Sequence, residues 1–99
     1  MAAPVLDQVL AVLRASPVVE RVILFGSRAR GDHRERSDFD VAVDCPRATR
    51  SEWSRMWHAI DELPTLYFID LVRLDEADPN LRDSILGEGV VIYERERVA

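Results

Sequence analysis

Val22-Ile23-Leu24-Phe25-Gly26-Ser27-Arg28-Ala29-Arg30-Gly31, followed after a polar stretch by Asp38-Phe39-Asp40-Val41-Ala42-Val43, is the part of the sequence that decides the fold. Val18 to Phe25 is rich in β-branched and aromatic residues, the signature of a buried strand. Gly26-Ser27 follows at once, and Ser27 to Arg30 reads as one helical turn with Ser27 as its N-cap and Gly31 as its terminator. Asp32 to Ser37 is a polar loop. Phe39 to Val43 then alternates apolar residues with Asp40 and Ala42, as a strand does when one of its faces carries chemistry.

Outward from this centre the chain alternates helices and strands. Pro4 suits the first position of a helix to about Ala15, because Val5, Leu6, Val9, Leu10 and Leu13 recur at the three-to-four spacing of one apolar face. Ser16-Pro17 ends it. Beyond the second strand, Ser51 can cap a helix whose apolar side is Trp53, Met56, Trp57 and Ile60 and which stops near Leu63-Pro64. Leu66 to Leu74 reads as a third strand, interrupted by Asp70 and Arg73. Asp78-Pro79 opens a helix faced by Leu81, Ile85 and Leu86, Gly87-Glu88-Gly89 closes it, and Val90 to Tyr93 forms a last short strand before a charged tail, Glu94 to Ala99, expected to fray. The order implies one domain, residues 1–99, of the α/β (α+β) class: a small sheet covered by helices.

Composition narrows the function. The 99 residues can bury one modest core, with little chain left for a separate substrate-binding module. No apolar run approaches the roughly 20 residues that span a bilayer, and Met1-Ala2-Ala3-Pro4 has no basic region ahead of an apolar stretch, so neither a membrane protein nor a secreted one is expected and the cytoplasm is the expected location. A formal net charge of −5 disfavours a protein built to grip a nucleic-acid backbone. Cys45 is the only cysteine, which excludes an internal disulfide and a zinc cluster of the usual spacing. All 13 basic residues are arginine, which removes lysine as a base or Schiff-base nucleophile.

The acids carry the chemistry. Side chains two apart on a strand leave the same face about 6 to 7 Å apart, and two carboxylates so placed repel by roughly 3 kcal/mol at an effective dielectric near 20. For Asp38 and Asp40, flanked by Phe39, Val41 and Val43, a divalent cation offsets that repulsion better than water does, because hard ions such as magnesium take carboxylate oxygens and share them with substrate phosphates. Asp70 interrupts the most apolar strand, where an unpaired carboxylate would carry a desolvation cost of several kcal/mol. If that strand lies beside Phe39 to Val43, the three acids form one cluster able to hold two metal ions about 3.5 to 4 Å apart, the arrangement that clamps attacking and leaving oxygens in phosphoryl or nucleotidyl transfer.

Gly26-Ser27 supplies the complementary half. A glycine after a buried strand lets backbone approach a ligand, and amides at the start of a helical turn are free to bind an anion. Arg28, Arg30, Arg34 and Arg36 outnumber Asp32 and Glu35 there, leaving a locally positive segment suited to a triphosphate. Each piece has an ordinary alternative. Asp-x-Asp is common at strand edges, Gly-Ser is a common turn, the arginines could be a solvated loop, and Asp70 could pair with Arg73 or Arg21. His33 and His58 read as surface residues, and Trp53, Met56 and Trp57 as core, with a partly exposed aromatic patch suiting a partner interface.

Leu24-Phe25-Gly26-Ser27, ten intervening residues, then Asp38-Phe39-Asp40-Val41 resembles the signature of the DNA polymerase beta-like nucleotidyltransferase superfamily. Gly26-Ser27-Arg28-Ala29-Arg30-Gly31 with Ser37-Asp38 is especially similar to the minimal nucleotidyltransferases, which accompany HEPN-domain toxins in prokaryotic toxin–antitoxin pairs. The resemblance implies a mixed sheet with helices packed on it and two magnesium ions held by Asp38 and Asp40, with Asp70 binding one of them and helping to deprotonate the acceptor hydroxyl. It implies that Gly26 and Ser27 hold the triphosphate of ATP; Arg28 and Arg30 are added here as phosphate contacts. Members of this group transfer AMP to a tyrosine of the HEPN toxin and so silence it. Two other readings remain open: an antitoxin that blocks a HEPN ribonuclease by contact alone, and transfer to a small molecule of the aminoglycoside kind, for which a homo-oligomer would have to supply the acceptor pocket.

Overall fold

In the computed structural model, which describes residues 4–35 and 37–96, the chain runs α1 (Pro4–Arg14), β1 (Arg21–Phe25), α2 (Ser27–Arg30), β2 (Phe39–Asp44), α3 (Arg50–Asp61), β3 (Ile69–Arg73), a 3₁₀ turn (Leu74–Glu76), α4 (Pro79–Glu88) and β4 (Val90–Glu94). The four strands form one mixed sheet in the order β3-β2-β1-β4. β1 is antiparallel to both β2 and β4, whereas β2 and β3 are parallel and are joined through α3. This is the small mixed sheet with packed helices that the resemblance implied.

Strand alternation sorts the side chains onto two faces. On one face Val22, Phe39, Val41, Val43 and Leu71 pack against Val5, Val9 and Leu13 of α1 and Met56 and Ile60 of α3, forming the main core. On the other, Ile23 and Ala42 meet Leu74 and Ile85, with Phe25, Val72 and Leu81 around them, so α4 covers this face only in part. Helices on one full face and one partial face leave the end of the sheet near α2 open, and that is where β1 stops and β2 and β3 begin.

Several element ends differ from the sequence reading. Strand β1 starts at Arg21 because the Val18–Glu20 stretch is a connection, in which Val19 N–H bonds Ser16 O and Glu20 N–H bonds Asp44 O. Helix α3 is capped by Thr49, not Ser51: Thr49 Oγ accepts from Glu52 N–H and Glu52 Oε1 accepts from Thr49 N–H, a complete capping box. Strand β3 starts at Ile69, and Leu66 and Phe68, expected inside it, are 98% and 60% exposed. The fraying expected from Glu94 does not hold at the first two residues of that tail. Glu94 belongs to β4, and Arg95 ties back through its N–H to Glu20 O and through its guanidinium to Val19 O and Ser16 O. Residues 97–99 of the tail, Met1-Ala2-Ala3 and Arg36 lie outside the described residues.

Candidate active site

Gly26 is the hinge of the site. It follows β1 with φ 74° and ψ −155°, a combination essentially restricted to glycine, and its carbonyl accepts both Ala29 N–H and Arg30 N–H to start α2. Gly26 is therefore the N-cap, and Ser27, expected in that role, is the first helical residue and makes no side-chain cap. Gly31 closes the turn in the left-handed conformation, at φ 86°, its N–H bonded to Ser27 O.

The register then brings acids to this turn. Asp40 is the pairing partner of Phe25 on β1 and of Asp70 on β3. Paired residues point to the same side of a sheet, so Asp40 and Asp70 share the partly covered face, on strands about 4.8 Å apart. Asp40 reaches over Gly26: a Cβ added there would collide with Asp40 Oδ2 and lie 3.1 Å from its Cγ. Asp38 stands two residues before Asp40 and just outside β2, in the loop and not on the strand as expected.

The electrostatics register the crowding. Burial pushes the Asp40 carboxyl above its ordinary value, the charges of Asp70 and then Asp38 push it further, and Arg30 works against them. Among the described residues, no side-chain hydrogen bond or ion pair engages the carboxylates of Asp38, Asp40 or Asp70, whereas the backbone of Asp40 and Asp70 is paired in the sheet. Asp44, on the same face at the far end of β2, is by contrast neutralised by Arg21 at 2.9 Å. The pairings considered for Asp70 do not occur: Arg21 is engaged by Asp44, and Arg73 bonds Asp75 at 3.0 Å and the carbonyls of Cys45 and Ala48.

The acids are more open than the sequence suggested. Asp38 and Asp70 are exposed and Asp40 is half-buried: Asp38 precedes β2 and Asp70 lies on β3, an edge strand. The expected buried acid on the most apolar strand is thus a solvent-facing one. Among the described residues no three His, Cys, Asp or Glu side chains are drawn together into a finished metal site. The donor set nevertheless suits a hard divalent cation: three carboxylates with oxygen donors only, one of them held above its ordinary pKa by burial and then by the charges of the other two.

The basic residues divide. Arg30 is exposed, bonds Asp32 at 3.2 Å, lies 4.0 Å from Glu88 and acts electrostatically on Asp40, so its charge borders the site. Arg28, expected beside it as a phosphate contact, turns the other way. Its Nη2 donates to Glu35 O at 3.1 Å and Ser37 O at 2.9 Å, and its guanidinium carbon sits 4.0 Å from the centre of the Phe39 ring. Arg34 and His33 are exposed in the same loop.

Other candidates stay apart from the acids. A cavity of about 450 Å³ lies at the opposite end of the sheet, lined by Glu20, Arg21, Asp44, Glu94 and Arg95, where the Arg21–Asp44 pair already balances charge. Cys45 is buried and its thiol is pushed up to about 11 by that burial, so it stays protonated and unreactive at neutral pH. His58 is exposed on α3, against Ser54 and the edge of Trp57, and Trp57 is 41% exposed rather than core. Among the described residues no helix is long and apolar enough to cross a membrane.

Comparison with known proteins agrees with this geometry. Residues 7–98 match the family described as Polymerase beta, Nucleotidyltransferase. Among solved structures, a provisionally assigned minimal nucleotidyltransferase is 31% identical with a TM-score of 0.63, over 85% of this chain and 88% of that one. A toxin–antitoxin crystal structure with AMP-PNP is 24% identical with a TM-score of 0.67, over 91% of this chain and 73% of that one. The tri-AMPylated Shewanella oneidensis HEPN toxin in complex with its MNT antitoxin contains a chain 22% identical, with a TM-score of 0.60, over 90% of this chain and 69% of that one. No curated protein sequence matches. With the family matched over nearly its whole length and its glycine turn set against paired aspartates, this chain belongs to the polymerase beta nucleotidyltransferase family.

Proposed function

We propose that this protein is a magnesium-dependent adenylyltransferase that moves AMP from ATP onto a tyrosine hydroxyl of a HEPN-domain toxin in the cytoplasm, and so acts as that toxin's antitoxin. One observation carries the reading: Asp40 stands over the glycine turn, Asp70 lies opposite it on the next strand and the charge of Asp38 also acts on it, with no salt bridge among the described residues to any of the three, while the acid at the other end of the same strand has its arginine. Family membership supports transferase chemistry on a nucleotide. The fold is shared with chains from toxin–antitoxin structures, one with AMP-PNP and one with an AMPylated HEPN toxin, which supports both the donor and the acceptor.

In this reading Asp38 and Asp40 hold two magnesium ions and Asp70 holds one of them. Bound magnesium supplies positive charge against the triphosphate and the departing pyrophosphate. The chain's own groups do the rest. Gly26 and Ser27 receive the triphosphate through the backbone that starts α2, Arg30 adds charge at the rim, and Asp70, exposed on an edge strand, accepts the proton of an incoming hydroxyl. A partner that carries the acceptor fits the exposure of Asp38 and Asp70.

The test uses the protein with its neighbouring gene product, assayed as a HEPN-domain partner, labelled ATP and magnesium. Label on the partner is expected, lost when Asp38→Asn and Asp40→Asn are combined, together with neutralisation of the toxin. Neutralisation that survives the double substitution identifies a contact antitoxin, a reading favoured by the exposed Leu66 and Phe68 next to β3. Label on neither partner nor small molecule, from a folded protein, sinks the enzyme.

A further inference from the structure

We propose that Arg28 is a positioning residue of the site: its guanidinium, wedged against Phe39 and Tyr67, clamps the backbone at Glu35 and Ser37 and thereby sets where Asp38 stands relative to Asp40. The inference rests on the adenylyltransferase reading for its functional consequence, but its structural half stands on contacts alone.

The contacts form one unit. The guanidinium carbon lies 4.0 Å from the centre of the Phe39 ring and 5.2 Å from that of Tyr67. The two rings meet edge to face, 5.2 Å apart at 87°. Nη2 donates to Glu35 O and Ser37 O, and Nε is buried with no hydrogen-bond partner among the described residues. A guanidinium so desolvated is held by ring faces and carbonyl oxygens together, and a lysine, with a compact ammonium and no planar fork, cannot reproduce the arrangement.

What is clamped matters more than the clamp. Ser37 C=O belongs to the peptide that leads into Asp38, and the next peptide is fixed from the other side, where Phe39 N–H donates to Phe68 O at 3.0 Å. Asp38 therefore sits between two anchored peptide planes although it lies outside the strand. The loop is folded on itself nearby, Arg34 N–H donating to Ser37 Oγ and Ser37 N–H to Arg34 O. Arg28 follows Ser27 directly, so a single side chain ties the glycine turn to the loop that delivers the first acid. Its donors point at backbone, away from the face shared by Asp40 and Asp70, which separates this role from that of a phosphate contact.

The experiment compares wild type, Arg28→Lys and Arg28→Met, the last keeping the apolar stem. Amide hydrogen exchange is measured without metal or nucleotide; calorimetry then follows magnesium binding in the presence of AMP-PNP. Both variants are expected to exchange faster at Asp38 and Phe39 with Val41 to Val43 unchanged, and to lose magnesium affinity by roughly 10- to 100-fold, as removal of outer supports of metal ligands does. In an Asp38→Asn background the Arg28 substitutions are expected to cost nothing further. Unchanged exchange, or a Lys variant that binds magnesium and AMP-PNP as wild type does, overturns the proposal in favour of a simple charge contact. Arg28→Lys decides the question if Arg28→Met does not fold. Absence of magnesium binding by wild type overturns the adenylyltransferase reading, and the exchange data then judge the clamp by themselves.

Discussion

At Gly26 conformation and space make the same demand. Its φ of 74° lies where only glycine is unstrained, and the room a Cβ would need is taken by Asp40. Gly26→Ala is therefore expected to leave the main core folded, since α1 and α3 pack on the other face, but to cost about 1–3 kcal/mol of backbone strain and to displace Asp40. Thermal unfolding and calorimetry with magnesium plus AMP-PNP check it: a modest drop in Tm with loss of binding is the expected pair, and retained binding removes Gly26 from the site. Asp40 itself gives a prediction about pH. Its pKa is raised in the folded protein by burial and by Asp70 and Asp38, so the folded state holds a proton that the unfolded chain has released. Its contribution to stability is then largest at low pH and is lost as pH rises through the folded pKa. Asp40→Asn is expected to raise the Tm of the metal-free protein at neutral pH and to change little near pH 3; a lower Tm at neutral pH contradicts the sign. Of these residues the sequence shows the glycine turn with Asp38 and Asp40, whose spacing is local, whereas Asp70, thirty residues beyond Asp40, enters only through a strand pairing. The sequence does not show Arg28's orientation, because the Tyr67 ring that helps hold the guanidinium comes from a distant part of the chain.

Among the elements, α3 offers the clearest local test. Thr49 and Glu52 close a reciprocal cap at the start of the helix that supplies Met56 and Ile60 to the core. Thr49→Ala is expected to cost about 1 kcal/mol, the usual worth of an N-cap. That corresponds to a fall in Tm of about 4–8 °C for a domain of this size, with nucleotide binding untouched because α3 packs on the face away from the acids. The bonds from Thr49 hold the Glu52 carboxyl below its ordinary value, so this half of the cap is present at neutral pH and lost as pH falls through that lowered pKa. The Thr49 signal is in the sequence, as Thr49-x-x-Glu52, but Ser51 competes with it by standing closer to the apolar positions. The long reading of β3 has another cause. Leu66 and Phe68 have strand-like side chains but lie outside the strand and remain exposed, so apolar character there does not report burial. Strand adjacency was conditional for the same reason: nothing local to Asp70 states that β3 pairs in parallel beside β2, yet that pairing alone puts Asp70 opposite Asp40.

For the molecule as a whole, charge sets how a nucleotide can bind. The protein carries a formal net charge of −5, and its described acids at the site have only Arg30 acting against them. A triphosphate arriving alone meets repulsion; magnesium arriving alone meets carboxylates, two of them exposed and well hydrated. Each ligand thus removes the obstacle to the other, and binding should be joint. A ligand present at a hundred times its dissociation constant stabilises a folded protein by about 2.7 kcal/mol, which for a small domain is a rise in Tm of about 10–20 °C. Thermal unfolding is accordingly expected to show little shift with AMP-PNP in chelator, a small one with magnesium, and the full rise only with both. The rise should vanish in the Asp38→Asn, Asp40→Asn double variant. An equal rise with AMP-PNP in chelator would mean that arginines and backbone hold the triphosphate without metal, and the carboxylates would then need another explanation.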